Sequence, residues 1–233
     1  MKAKELAICI LAKYPTKGNV KTRLSIKIGA MSAVALYEEL LMNTIFQVSR
    51  VEIPNNSFVV SSDNEHAELL KNFLPKDTRI YFFHEDRLSN LLKTIFDRLL
   101  VGEGYKKVIV TCSDSPFITP ELISDAYKIL NENQTLFISP SSDGGYSLIG
   151  MNKFVDIFSP VTMSTSNVLQ HTIELAKSAH LKIHTSEVVD DIDTEGDMHA
   201  VLPLLNDKYD PKGVIRKRLG IMLNVNHKNP DMA

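Results

Sequence analysis

Cysteine is scarce in this sequence. The two residues, Cys9 and Cys112, both stand inside apolar runs read as core strands, which reads as free buried thiols in a reducing compartment rather than a redox or metal site. No apolar run approaches the roughly 20 residues of a membrane span, and Glu5 interrupts any signal-like start. Neither sign of charge is in excess. A net charge of -2 gives no global pull toward nucleic acid or anionic lipid, so any positive potential must be local. Nucleotide-binding signatures are missing too: no Gly stands at the P-loop spacing before Lys21-Thr22, and there is no GxGxxG. The histidines make no zinc set, because His171, His180 and His184 are unevenly spaced and His66, His84 and His199 lie away from any cysteine. These absences predict a soluble, cytoplasmic protein with neither nucleic acid nor a membrane as partner, and they leave the oligomeric state open.

Within 233 residues, 44% hydrophobic and 23% charged, the chain can bury about 70% of its unfolded surface in one core. Strand-like runs at 6–12, 57–61, 79–83, 107–111, 135–139, 147–151 and 182–185 alternate with amphipathic helical stretches at 31–50, 65–73, 88–100, 120–130, 167–179 and 195–205. That alternation predicts a mostly parallel sheet covered by helices. Thr119-Pro120 marks a helix start, and Thr194-Glu195-Gly196-Asp197 has the spacing of a capping box. No linker, repeat or low-complexity tract divides the chain, so residues 1–233 are read as one domain. Its core covers about 6–205, with an extension over 206–233 that forms a short helix before a frayed end.

Four clusters carry the chemistry. The first is the loop after the opening strand, Lys13 to Arg23, with three lysines and one arginine. In an open α/β sheet, ligands sit beyond the carboxyl ends of the strands, so this loop is placed to meet an anionic, phosphate-bearing ligand. It supplies Ala12, Lys13, Lys17, Gly18, Lys21 and Arg23 as nucleotide-binding candidates, with Lys21 and Arg23 stabilising phosphate charge catalytically. Arg23 can offer a bidentate fork that lysine cannot. In the second cluster, Thr111 to Pro116, Asp114 ends a central strand in a proline-restricted turn and is a catalytic candidate that can present a carboxylate to Mg²⁺, with Ser113 beside it a nucleotide-binding candidate. Asp63, at the end of another strand, is a candidate for ribose or base.

The third cluster, Ser142-Asp143-Gly144-Gly145-Tyr146, offers paired glycines for close backbone approach and a ring beside them; a hairpin turn explains Asp-Gly equally well. Asp143, Gly144, Gly145 and Tyr146 are the acceptor-side candidates. The fourth, Asp190 to Asp197, holds five acids in eight residues. Capping accounts for Glu195 and Asp197, but the acids before them exceed what a cap needs and repel unless a cation joins them.

In this order and spacing, AKYPTKGNVKTRL, TCSDSPFITPEL, SPSSDGGYSLIGM and DDIDTEGDMHAV resemble a glycosyltransferase-like family of the nucleotide-diphospho-sugar transferase superfamily. Some of its members are called radical-SAM/selenodomain-associated transferases. The likeness covers about Leu6 to Leu205; a more distant one is to phospholactate guanylyltransferase. The resemblance implies the glycosyltransferase A fold, a single-domain α/β/α sandwich with a mainly parallel sheet and nucleotide at the strand ends. It also implies a divalent cation, Mg²⁺ or Mn²⁺, on Asp114 with a second acid from Asp191 or Asp193. Two positions depart from the pattern: Asp114-Ser115-Pro116 lacks the second acid of a full DxD, and Met163 stands where a Trp is usual. The expectation is a transferase acting on a nucleoside triphosphate or nucleotide sugar and a small-molecule acceptor, with nucleotidyl transfer ahead of glycosyl transfer. A noncatalytic nucleotide- or partner-binding protein of the same fold is the alternative.

Overall fold

The computed structural model describes residues 4–61, 66–76, 78–83, 85 and 87–226; Asp63, His84 and the last seven residues of the tail lie outside them. The first strand, β1 (Leu6–Leu11), shows how the sheet is covered. Side chains alternate along a strand, so Leu6, Ile8 and Ile10 enter one core cluster while Ala7 and Cys9 enter another on the opposite face. Both faces are therefore buried.

The strands β2 (Asn56–Ser61), β3 (Arg79–Phe82), β4 (Lys107–Thr111), β5 (Thr135–Pro140), β6 (Tyr146–Met151) and β7 (Lys182–Thr185) complete a seven-stranded sheet in the order β3-β2-β1-β4-β6-β5-β7. All pairings are parallel except those of β6, which runs antiparallel to both β4 and β5. The short loop 141–145 cannot make the crossover that a parallel pair requires, so β5 and β6 form a hairpin. Gly144 turns it at φ +88, and a Cβ there would sit 2.0 Å from the Ser166 carbonyl oxygen. Gly144→Ala is expected to cost about 1 to 3 kcal/mol, read as a shift in denaturation midpoint.

Helices α2 (Ala30–Ser49), α3 (Ala67–Phe73) and α5 (Pro120–Ile129) cover one face through Val34, Leu41, Leu70, Ile123 and Ala126. The other face is covered by α4 (Leu88–Phe96), which runs on into a π-helical turn at Asp97–Gly102, and by α6 (Val168–Ser178). The expected start of α5 holds: Thr119 Oγ1 accepts from the Leu122 N–H at 3.3 Å. One element differs from the sequence reading. The loop read over Lys13 to Arg23 ends earlier, because Thr22–Ile28 form the short helix α1. The tail forms α8 (Val214–Asn226), whose Ile215 and Leu219 are fully buried with Leu36 and Leu40 of α2 and Met198 of α7 (Glu195–Val201). This is the short helix expected in the extension, and it packs as an outer layer. Among the described residues no helix is long and apolar enough to cross a membrane.

Candidate active site

Strands β1 and β4 are parallel neighbours, with Ile10 opposite Thr111, and the chain leaves β1 toward β2 on the other side. Their carboxyl ends flank a switch point, where open sheets leave a crevice. A cleft of about 490 Å³ lies there, lined by residues from both strand ends, from α4 and from the acid-rich segment.

Three segments deliver its charged groups. The chain beyond β1 enters α1 at Lys21, which adopts a left-handed backbone (φ 48, ψ 43), a conformation that costs a residue with a Cβ about 1 to 2 kcal/mol. Its side chain is 2% exposed, and Nζ donates to Asp114 Oδ2 at 2.9 Å and to Asp193 Oδ1 at 2.7 Å. The turn after β4 presents Asp114, and the Ile192 N–H donates to the Asp114 carbonyl at 3.4 Å. The third segment, 189–193, is fixed by its backbone. Val189 N–H donates to the Pro140 carbonyl at 2.7 Å, while Ser147 and Ser115 hydroxyls each donate at 2.6 Å, to the carbonyls of Val189 and Asp190. Ile192 turns into the core cluster of α2, α7 and α8, and Asp191 and Asp193 on either side of it meet Asp114. Carboxylate oxygens of the three lie within 4.8 Å of one another.

The electrostatics follow from this crowding. Burial raises the Asp191 pKa, and the charges of Asp114 and Asp193 raise it further, to about 7 despite Lys21. For Asp114 burial acts upward but the Lys21 ammonium outweighs it, and the carboxyl is held below its ordinary value. Burial alone would depress the Lys21 pKa; Asp114 and Asp193 reverse the sign and raise it. Three acids sharing one lysine carry surplus negative charge, and hard oxygen donors so close together suit a divalent cation. The triad can hold one.

Asp197 belongs to the capping box read from the sequence. Its Oδ2 accepts from the N–H of Thr194 at 2.6 Å and of Asp193 at 2.9 Å, and Thr194 Oγ1 accepts from the Asp197 N–H at 3.2 Å. Asp197→Asn should therefore cost about 1 kcal/mol, or roughly 2 to 4 °C in Tm for a chain of this size.

The structure distributes the other predicted residues unevenly. Ala12, Lys13 and Ser113 line the cleft with Lys21, Asp114 and Asp193. Lys17, Gly18 and Arg23 are exposed and do not line it; Arg23 is carried outward in the first turn of α1, which the loop reading had not allowed for. On the acceptor side, Asp143 lies close enough to push the Asp191 pKa upward, and its Oδ1 accepts from the Gly145 N–H at 2.8 Å. Gly144 is pressed against the Ser166 backbone, not against ligand space. Tyr146 corrects the reading most clearly: its hydroxyl is buried beside the Thr172 hydroxyl, and burial pushes its pKa to about 12. It packs with the core beneath α4 and α6. Cys112 differs as well, since it lines the cleft one residue beyond β4 with a thiol that burial and the Asp114 charge hold protonated.

Several cleft residues carried no sequence signal. Tyr37, buried on α2, has a hydroxyl 3.0 Å from Ser113 Oγ that also accepts from the Lys13 N–H at 3.0 Å, tying the two strand-end turns together. Helical spacing marks Tyr37 only as a core residue. Glu85, Leu88 and Leu91 before and within α4, Val60 of β2 and Ser164 complete the walls.

A family model described as "Uncharacterized protein conserved in bacteria (DUF2064)" matches residues 48–165, half of the chain. The protein belongs to this family. The matched segment contains Asp114 but neither Lys21 nor the Asp191-Asp193 pair, so parts outside it complete the site. A comparison with curated proteins finds no match. Among solved structures, the chain is similar to a candidate nucleotide-diphospho-sugar transferase from Desulfovibrio desulfuricans G20, with TM-score 0.87, 24% identity and coverage of 97% of this chain and 98% of that one. A 4-diphosphocytidyl-2C-methyl-D-erythritol synthase from Anaerococcus prevotii DSM 20548 superposes with TM-score 0.55 at 14% identity over 84% and 93% of the two chains. The manganese complex of Rv0371C from Mycobacterium tuberculosis H37Rv does so with TM-score 0.51 at 15% identity over 87% and 100%. The fold is that of the nucleotide-diphospho-sugar transferases.

Proposed function

We propose that the cleft binds a nucleoside triphosphate together with Mg²⁺ or Mn²⁺ and transfers its nucleotidyl group to a small phosphorylated or hydroxyl acceptor. The observation that carries this reading is the meeting of Asp114, Asp191 and Asp193 with the buried Lys21 ammonium at the switch point of the sheet. The fold supports it, since similar structures include a diphosphocytidyl-methylerythritol synthase and a manganese complex. Within this class the motifs support the radical-SAM/selenodomain-associated type, with phospholactate guanylyltransferase a more distant likeness. The two free thiols support a cytoplasmic site of action.

In such a transfer an acceptor oxygen attacks the α-phosphorus in line, the bond to the bridging oxygen breaks and pyrophosphate leaves. The protein's part is positioning and charge neutralisation. Asp114, Asp191 and Asp193 would hold the cation, which when bound offsets charge on phosphate oxygens. Lys21 brings a second positive charge to the same point, and Lys13 adds one at the rim. The apolar wall of Leu11, Val60, Leu88 and Leu91 offers the flat face of a base a surface to pack against. Pro116 stands where a full DxD carries its second acid, which favours nucleotidyl over glycosyl transfer.

The test is a thermal-shift screen of the four nucleoside triphosphates and common nucleotide sugars with and without Mg²⁺, in which a ligand at 100 times its Kd stabilises by about 2.7 kcal/mol. Mg²⁺-dependent stabilisation by a triphosphate, followed by pyrophosphate release with an acceptor, is expected. Stabilisation without turnover would instead identify a noncatalytic nucleotide-binding protein, and no response to any nucleotide would overturn the reading.

A further inference from the structure

The acid triad already has a cation, and the chain itself supplies it. Lys21 Nζ sits 2.9 Å from Asp114 Oδ2 and 2.7 Å from Asp193 Oδ1, bridging two of the three carboxylates grouped within 4.8 Å. An ammonium and a divalent cation compete for such oxygens and repel each other at close range. A free metal ion entering the triad must therefore displace Lys21 from the two carboxylates it bridges. The backbone is consistent with an anchored side chain: Lys21 keeps a left-handed conformation that persists only where its surroundings over-determine it.

We propose that Lys21 is a tethered counterion of the acid triad, which it holds until phosphate oxygens draw its ammonium away, so that the cleft admits a divalent cation as a metal–phosphate complex and not as a free ion. Phosphates suit both halves of the exchange. They ligate the metal that the carboxylates receive, and they accept hydrogen bonds from a lysine whose flexible four-carbon stem can swing between partners. No bond is made or broken; one ion pair is traded for another. The proposal rests on the metal–nucleotide reading above and adds an order to it: the cation and the phosphates arrive together.

Mn²⁺ alone, without nucleotide, is the probe, titrated calorimetrically or by the paramagnetic resonance of the free ion. Lys21→Met should bind Mn²⁺ about tenfold or more tightly than the parent because the competing charge is gone. Lys21→Arg, which keeps that charge, should show no such gain. Equal Mn²⁺ affinity of the parent and Lys21→Met overturns the counterion role while leaving metal-dependent nucleotide binding intact. Failure of both proteins to bind Mn²⁺, even with a nucleoside triphosphate present, overturns the metal–nucleotide reading and this inference with it. Should Lys21→Met not fold, the same comparison is made between Asp191→Asn and Asp191→Asn/Lys21→Met, where one carboxylate charge fewer offsets the lost ammonium.

Discussion

Lys21→Met is expected to lower the stability of the protein, measured at neutral pH in the presence of a chelator, by about 2 to 3 kcal/mol, less than for a fully buried ion pair because the Asp114 and Asp193 side chains left behind are 24% and 42% exposed. The methionine keeps the length of the stem but leaves Asp114, Asp191 and Asp193 facing one another without the charge that joined them. The sign with pH follows from the directions of the shifts. Lys21 has its pKa raised, so its contribution is present below the ordinary lysine value and fades as pH rises beyond it; Asp114 has its pKa lowered, so its contribution is present above the ordinary aspartate value and fades as pH falls. The parent's advantage over the variant should thus be widest between those limits. Denaturant titrations across this window measure it, and Mn²⁺ should return part of the loss. A variant as stable as its parent would show that the three acids do not need the lysine.

Asp114→Asn should reduce Mg²⁺-dependent nucleotide turnover about a hundredfold or more, because the amide keeps the shape of the side chain while removing one anionic ligand from a three-acid set. The fold should survive, since Lys21 keeps Asp193 as a partner and the Asp114 backbone still accepts from Ile192. Pyrophosphate release measures turnover, and Mg²⁺-dependent nucleotide affinity separates binding from chemistry. Unchanged Mg²⁺-dependent affinity would remove Asp114 from the site.

Much of this architecture was legible along the chain because its signals are local. The β1 run alternates between two buried faces, Thr119-Pro120 and Thr194 to Asp197 are caps that form from neighbouring residues, and each charge cluster stands at a strand end or just beyond. Where reading failed, the deciding feature was a distant contact for Tyr146 and an unread helix start for Arg23. Tyr146 was placed on the acceptor side by its glycine neighbours, but the pairing of β6 with β4 and β5 turns its ring toward α6. Arg23 was grouped with Lys21 by proximity, yet α1 begins between them and sends them to different environments.

The sequence by itself determined an alternating α/β chain, a cationic segment after the first strand, an aspartate after a central strand and a surplus of acids before a helix cap, because apolar periodicity and charge density are properties of short stretches. Only the tertiary structure decided that Lys21 is buried between Asp114 and Asp193, residues 93 and 172 positions away along the chain, that Tyr37 locks the two strand-end turns together, and that α8 belongs to the core. Such pairings depend on sheet order and on the burial of Ile192, which aims its flanking aspartates at the cleft, and no local pattern encodes either.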